Sequence, residues 1–412
     1  MKTDLKSLIK NNAFLLLMIA GMAAGAVTGA IWPGAVCLEP VGTIFVNLMF
    51  CVVVPLVFFS TSSSIANMTS IRKAGRILGT TVVTFLVTAA IASVIMYAVV
   101  RIIPVVPAGF EAVEEAEANE IDIAALIINF FTKPDFTELF SRKAILPLLI
   151  AAILFGFGVQ MAGGKETMTA KLLSDITNCL MKTMHIITFY APVGFFGFFA
   201  YLVASYGPSL IGAYGKAVAM YYIIAFAYVF VFAPVYARFG GGKGAEKVMS
   251  RHLFPPAAVS FGTCSSVATI PTNIEACEDT GISRDVTDIV IPLGATMHMD
   301  GSAMAAIIKV AFLFRLFGQD FSTGRAILAI IVAVFSSVAT SGIPGGNGTG
   351  DLVLCSIFFP EQIGIALPIV WALGDLVDPP ATMVNAAMDY VSTFIVSRYI
   401  EGKDWLEKKL KK

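Results

Sequence analysis

The sequence predicts an all-α polytopic membrane protein, with about eight transmembrane helices and two re-entrant helical hairpins. Three observations predict it. Of 412 residues, 57% are hydrophobic and only 14% are charged. Mean hydropathy is +0.82, and a water-soluble chain of this length has no way to hide that much apolar surface. The apolar residues gather into runs long enough to cross a hydrocarbon core of roughly 30 Å. Past residue 250 the runs shorten and fill with Ser, Thr, Gly and Pro. Such irregular backbone is tolerated at membrane depth only where protein or a watery cavity receives its polar groups.

The first apolar run, residues 13–32, follows "MKTDLKSLIKNN". Positive charge precedes it but no small-residue cleavage pattern closes it, so it reads as a retained first span and not a signal peptide. Further runs cover 41–66, 76–103, 143–162, 171–205 and 208–238. Basic residues orient them. Lys2, Lys6 and Lys10 precede the first run, and Arg72, Lys73 and Arg76 separate the second from the third. Lys165 and Lys171 follow the fourth, and Arg238, Lys243, Lys247 and Arg251 follow the sixth. By the positive-inside rule these segments are cytoplasmic, and the acidic stretch Glu111 to Asp122 is external. The closing "EKKLKK" is cytoplasmic again, which requires an even number of crossings. Both termini of a plasma-membrane protein then lie inside the cell.

Net formal charge is zero and no basic block is long enough to track a phosphate backbone, which argues against a nucleic-acid partner. Cys37, Cys51, Cys179, Cys264, Cys277 and Cys355 are scattered without a C-x-x-C pair. They read as small buried hydrophobes, not a disulfide frame or zinc site.

Two stretches, "FGTCSSVATIPTN" (261–273) and "ATSGIPGGNGTGD" (339–351), sit between modest apolar arms. Arms that apolar and that short suit the limbs of re-entrant hairpins better than extramembrane loops. Each stretch precedes a polar-interrupted span, "GATMHMDGSAM" (294–304) and "GDLVDPPATMVNAAMD" (374–389). A hairpin followed by an interrupted helix, twice over, is the internal repeat of a secondary transporter whose site lies at the repeat interface.

In the last span Asp378, Thr382, Asn385 and Asp389 are spaced by four, three and four residues, which makes one polar stripe on a helix. A stripe of Ser and Thr commonly glues helices together. Two carboxylates with no basic residue on their face instead call for a partner or a cavity, because each costs about 2.5–3.5 kcal/mol near mid-bilayer. Asp389 therefore calls for a cation, and Asp378 for a cationic group such as an ammonium. In "HMDG", Gly301 is expected to break the helix and free carbonyls beside Asp300, giving a hard-oxygen site suited to Na⁺. Carbonyls near Ser337, Val338 and Thr340 suggest a similar site at the second hairpin. Pro379 and Pro380 are expected to kink or unwind the last span beside Asp378.

These residues carry a resemblance to the glutamate transporter family, the dicarboxylate/amino acid:cation symporters. The family's serine-rich first tip resembles Ser265, Ser266 and Thr269 to Pro271. Its G-A-T-x-N-M-D-G motif resembles Gly294 to Gly301, its second tip Ser341 to Gly345, and its last-helix pattern Asp378, Thr382, Asn385 and Asp389. The resemblance implies a homotrimer in membrane lipid, working as an elevator. Its scaffold helices would lie in 1–66 and, after the acidic loop, in 104–205. The moving domain would take a helix from 75–103 and its core from 208–412. The resemblance also implies roles. Asp378 would hold a substrate ammonium, Asn385 and the backbone at Ser266 beside Ser265 a carboxylate, and Thr382, Ser302, Ile343 and Asn347 would line the side-chain region. Asp389, Asn385, Gly294 and the His298 backbone would form one sodium site; Thr296, Ser337, Val338 and Thr340 a second; Asp300 and Thr88 a third. No cofactor is implied beyond co-transported Na⁺.

The departures refine the expectation. Where the family carries an arginine that grips a side-chain carboxylate, this chain has Ala381. A methyl group cannot replace a bidentate guanidinium, so the sequence favours a neutral amino acid over an acidic one. A polar or basic amino acid, or a dicarboxylate, carried with protons or uncoupled, is the alternative. Asp351 either pairs with Lys309 or faces the pocket. His298 replaces the motif's Asn, and Phe85 and Ala89 replace hydroxyl-bearing positions nearby. An imidazolium at His298 would then supply charge that a third sodium otherwise supplies.

An enzyme reading is not favoured. "GTGD" (348–351) fits the G-x-G-D string of intramembrane aspartyl proteases, but the accompanying Tyr-Asp pair is missing from the chain. The G-x-x-x-x-G-K-[ST] loop of a primary pump is missing too. A channel lined by the polar stripe is the other alternative.

Overall fold

Every regular element among the described residues is helical. The computed structural model describes residues 13–67, 71–106, 132–141, 144–207, 209–339 and 348–410. The acidic stretch 111–122, the lysines before residue 13 and the tip of the second hairpin lie outside them. The helices run α1 (Ala13–Ile31), α2 (Glu39–Ala66), α3 (Ile71–Ile102), α4 (Phe136–Leu139), α5 (Ile145–Met161), α6 (Met168–Thr188), α7 (Ala191–Tyr206) and α8 (Ser209–Gly241). They continue as α9 (Ala245–His252), α10 (Phe254–Thr263), α11 (Ser266–Thr280), α12 (Arg284–Met297), α13 (Asp300–Leu316), α14 (Thr323–Ala339), α15 (Gly348–Phe358), α16 (Ile363–Glu401) and α17 (Trp405–Leu410).

They pack as two groups. In the first, α1 lies along α7, and α2 packs on α5, α6 and α7. Gly21, Gly25 and Gly29 bring α1 against the backbone of α7. A Cβ on Gly25 would fall 2.2 Å from the Phe196 carbonyl oxygen, the small-residue close approach typical of membrane helices. In the second group α16 is central, contacting α3, α8, α10, α11, α12, α13 and α15. By length and composition Arg76–Ile102, Ile211–Gly241 and Ile363–Glu401 can each cross a membrane, and the most apolar window of the last is 72% buried, against 39% and 33% for the others. α16 is thus a core helix dressed by its neighbours. The groups meet where α15 touches α2 and α5, α8 touches α7, and α16 touches α1.

The first hairpin is formed by α10 and α11, of 10 and 15 residues. At a rise of about 1.5 Å per residue these arms are about 15 and about 22 Å long, short of a roughly 30 Å core. Cys264 turns the chain in the left-handed region, with φ 49°. Ser265 then caps α11, its Oγ accepting the Ala268 N–H at 3.2 Å. α14 and α15 pack as the arms of the second hairpin.

Four expectations are corrected. The apolar run 171–205 is two helices, α6 and α7, parted at Phe189 and Tyr190, with Pro192 opening the second. α16 stays helical through Pro368, Pro379 and Pro380 for 39 residues. Pro380 has no N–H for the Leu376 carbonyl, and the Tyr222 hydroxyl of α8 donates to that oxygen instead, at 3.1 Å. Gly301 does not break the helix; the break is at His298 and Met299. All six cysteines are free, but only Cys277 and Cys355 are buried and Cys264 is half-buried, while Cys37, Cys51 and Cys179 are exposed on the chain's surface. An apolar helix in lipid has no need to hide a thiol.

Candidate substrate and cation site

The break between α12 and α13 brings His298 and Asp300 against Asp389 of α16. His298, Asp300 and Asp389 are fully buried. The His298 Nδ1 lies 2.9 Å from Asp389 Oδ1. Its Nε2 lies 3.0 Å from Thr88 Oγ1 and 3.3 Å from Asp300 Oδ1. Phe85 stacks on the ring, with centroids 4.3 Å apart. Tyr228 donates to Asp300 Oδ2 at 2.9 Å, and the Tyr236 hydroxyl sits 3.3 Å from that of Tyr228.

Both imidazole nitrogens face carboxylate oxygens, an arrangement that a ring with two N–H donors satisfies. With both carboxylates ionised, such a cluster carries two negative charges against one positive. Asp389 Oδ2 and Asp300 Oδ1 have no hydrogen-bond partner among the described residues, and a buried anionic oxygen needs a counter-charge. The Asp389 carboxylate comes close to α12 because residue 294 is glycine; a Cβ there would fall 2.4 Å from Asp389 Oδ1.

The next constellation lies on the other side of the break. Asn385 Oδ1 accepts the N–H groups of Gly301 at 2.8 Å and Ser302 at 3.3 Å. It thereby satisfies donors that the first turn of α13 leaves open. Its Nδ2 donates to Ser302 Oγ at 3.1 Å and contacts Met299 Sδ at 3.3 Å. Gly301 is required for close packing, since a Cβ there would lie 2.2 Å from the Ala381 carbonyl oxygen. Ala381 is only 1% exposed, so α13 and α16 press together where the resemblance puts an arginine. One turn earlier Thr382 donates to Asp378 Oδ1 at 3.0 Å. Ser265 and Ser266, at the start of α11, are buried.

Of the residues singled out in the sequence, Thr88, Gly294, His298, Asp300 and Asp389 converge on one cluster. Ser302 and Asn385 form the second constellation, with Asp378, Ala381 and Thr382 further along α16. The Thr296 hydroxyl turns back to the Leu293 carbonyl of its own helix at 3.0 Å. Ser337 and Val338 lie in the last turn of α14. Thr340, Ile343 and Asn347 lie outside the described residues. Lys309 and Asp351 form an ion pair, with Nζ 2.8 Å from Oδ1.

The tyrosines of α8 were not singled out in the sequence. Tyr214, Tyr221 and Tyr228 recur every seven residues, two helical turns apart on one face. Tyr214 donates to the Ile369 carbonyl at 3.0 Å and Tyr221 to the Gly301 carbonyl at 2.7 Å. With Tyr228 on Asp300, the stripe fastens α8 to α13 and α16. Period-seven tyrosines in an apolar span were the signal available.

Short re-entrant arms, a broken helix carrying acids, and charges buried at membrane depth define a multi-pass secondary active transporter. The chain belongs to the Sodium:dicarboxylate symporter family, whose sequence profile matches residues 14–399. It is 25% identical to a C4-dicarboxylate transport protein of Rhizobium leguminosarum over 403 residues, 95% of this chain and 89% of that one. It is 26% identical to a C4-dicarboxylate transport protein of Bacillus subtilis (strain 168), over 92% of each chain. These relatives are named for dicarboxylates, whereas the sequence had favoured a neutral amino acid.

Proposed function

We propose that this protein couples a sodium or proton gradient to symport of a C4 dicarboxylate across the plasma membrane. The observation that carries the cation coupling is Asp389 Oδ2, buried and unpartnered beside His298 and Asp300. The names of the relatives support the substrate class. Uncharged donors at Ser265, Ser266, Ser302, Thr382 and Asn385 would receive the carboxylates, with Ile343 and Asn347 lining the remainder. Asp378 would carry a proton or a bound cation during the loaded step, because a dianion beside an ionised carboxylate is repelled. Thr88, Gly294, Thr296, His298, Asp300, Ser337, Val338, Thr340, Asn385 and Asp389 are the cation-binding candidates.

A second reading, symport of a neutral amino acid, is favoured by Asp378 together with Ala381: an ammonium would suit the acid, and no guanidinium is needed. In either case the packing groups support a static scaffold from 1–66 and 104–205. With it goes a moving body from 75–103 and 208–412; the homotrimer and the elevator motion are what the resemblance implies, and the cytoplasmic termini what the positive-inside rule implies.

Uptake into proteoliposomes tests the readings. Labelled succinate, fumarate, serine and alanine are offered under an inward Na⁺ gradient, an inward H⁺ gradient, and neither. Gradient-driven accumulation of succinate is expected. Accumulation of serine or alanine without succinate replaces the first reading by the second. Conductance that needs no solute marks a channel.

A further inference from the structure

We propose that the ion pair of Lys309 and Asp351 is a positioning device that commits α15, the outgoing arm of the second hairpin, to the body built on α13 and α16. Both residues are 3% exposed. The ammonium meets both carboxylate oxygens, at 2.8 and 2.9 Å. Gly374 of α16 makes room for the pair, since a Cβ there would fall 2.7 Å from Lys309 Nζ and 3.3 Å from Asp351 Oδ2. One contact thus gathers α13, α15 and α16 at a single point.

α15 also leans the other way, touching α2 and α5 of the first packing group. Its buried Leu352, Val353 and Leu354 offer apolar surface, which is non-directional and packs on either side. A buried ion pair is directional. It contributes little net stability over apolar residues of similar volume, but separating it strands two charges. If the two groups slide past one another, α15 therefore travels with α13 and α16.

The test uses Cys355, one turn beyond Asp351 on α15 and fully buried, as the reporter, with the remaining cysteines replaced by serine. The chain is reconstituted as the parent, as the charge exchange K309D/D351K, and as the apolar pair K309M/D351L. The rate of Cys355 modification by a soluble thiol reagent is measured beside the KM and maximal rate of succinate uptake. The uptake arm rests on the dicarboxylate reading; the labelling arm does not, so if the parent carries no succinate, labelling still decides. The apolar pair should keep the parent's melting temperature, yet label at least about fivefold faster as α15 opens locally. Its KM should rise and its maximal rate fall. The charge exchange should restore both toward the parent. Parent-like labelling in the apolar pair overturns the proposal, and so does equally fast labelling in the charge exchange.

Discussion

Lys309 with Asp351, and His298 with Asp300 and Asp389, are buried charge clusters in the same helical body, yet their sums differ. The first closes on itself, one ammonium on one carboxylate with both oxygens used. The second does not close: two carboxylates share one imidazole, and one oxygen of each, Asp389 Oδ2 and Asp300 Oδ1, lacks a hydrogen-bond partner among the described residues. A complete pair at membrane depth has nothing further to recruit and serves geometry. An incomplete cluster is stable only when a small cation or a proton joins it, which makes it the place where a gradient can act.

Asp389→Asn should have the largest effect. It removes the surplus charge, and gradient-driven uptake should fall by at least about 100-fold, the equivalent of about 3 kcal/mol. Uptake with the parent's rate and cation dependence would erase the contrast between the clusters. His298→Asn sharpens it. Without the ring's charge the cluster needs one more cation per cycle, which reversal potentials measure directly, and an unchanged count would remove the charge-sharing account. Gly301→Ala should then cost about 1–3 kcal/mol by overpacking, read as a lower melting temperature in detergent. An unaltered melt would contradict the contact with Ala381. Smaller still is Tyr222→Phe, which strands the Leu376 carbonyl that Pro380 already leaves open, at about 1 kcal/mol. The same change at Tyr97, which donates to the exposed Thr323 hydroxyl at 3.4 Å, should shift the melt less.

Much of the architecture was legible because membranes simplify the code. Span lengths, short hairpin arms and the stripe from Asp378 to Asp389 follow from helical periodicity and the cost of charge in lipid. What local reading missed depends on a second helix. Pro379 and Pro380 look like an interruption until the Tyr222 hydroxyl supplies the lost donor. Gly301 looks like a breaker until Ala381 is found pressed against it. The parting of α6 from α7 at Phe189 and Tyr190 is hidden inside an unbroken apolar run. The convergence of Thr88, some 210 residues before His298, has no local signal at all. Substrate class was the least legible, because Ala381 and Asp378 speak for an ammonium while relatives across most of the chain are named for dicarboxylates.

The tyrosine stripe has a practical corollary. Since Tyr214, Tyr221 and Tyr228 rivet α8 to the acid-bearing helices, its outer face is a convenient handle on them. Ile223 and Phe230 there are 67% and 76% exposed and make no hydrogen bond through their side chains. A fluorophore attached at either position would ride with the buried acids, so any displacement of them gives an optical readout while the chemistry is left untouched.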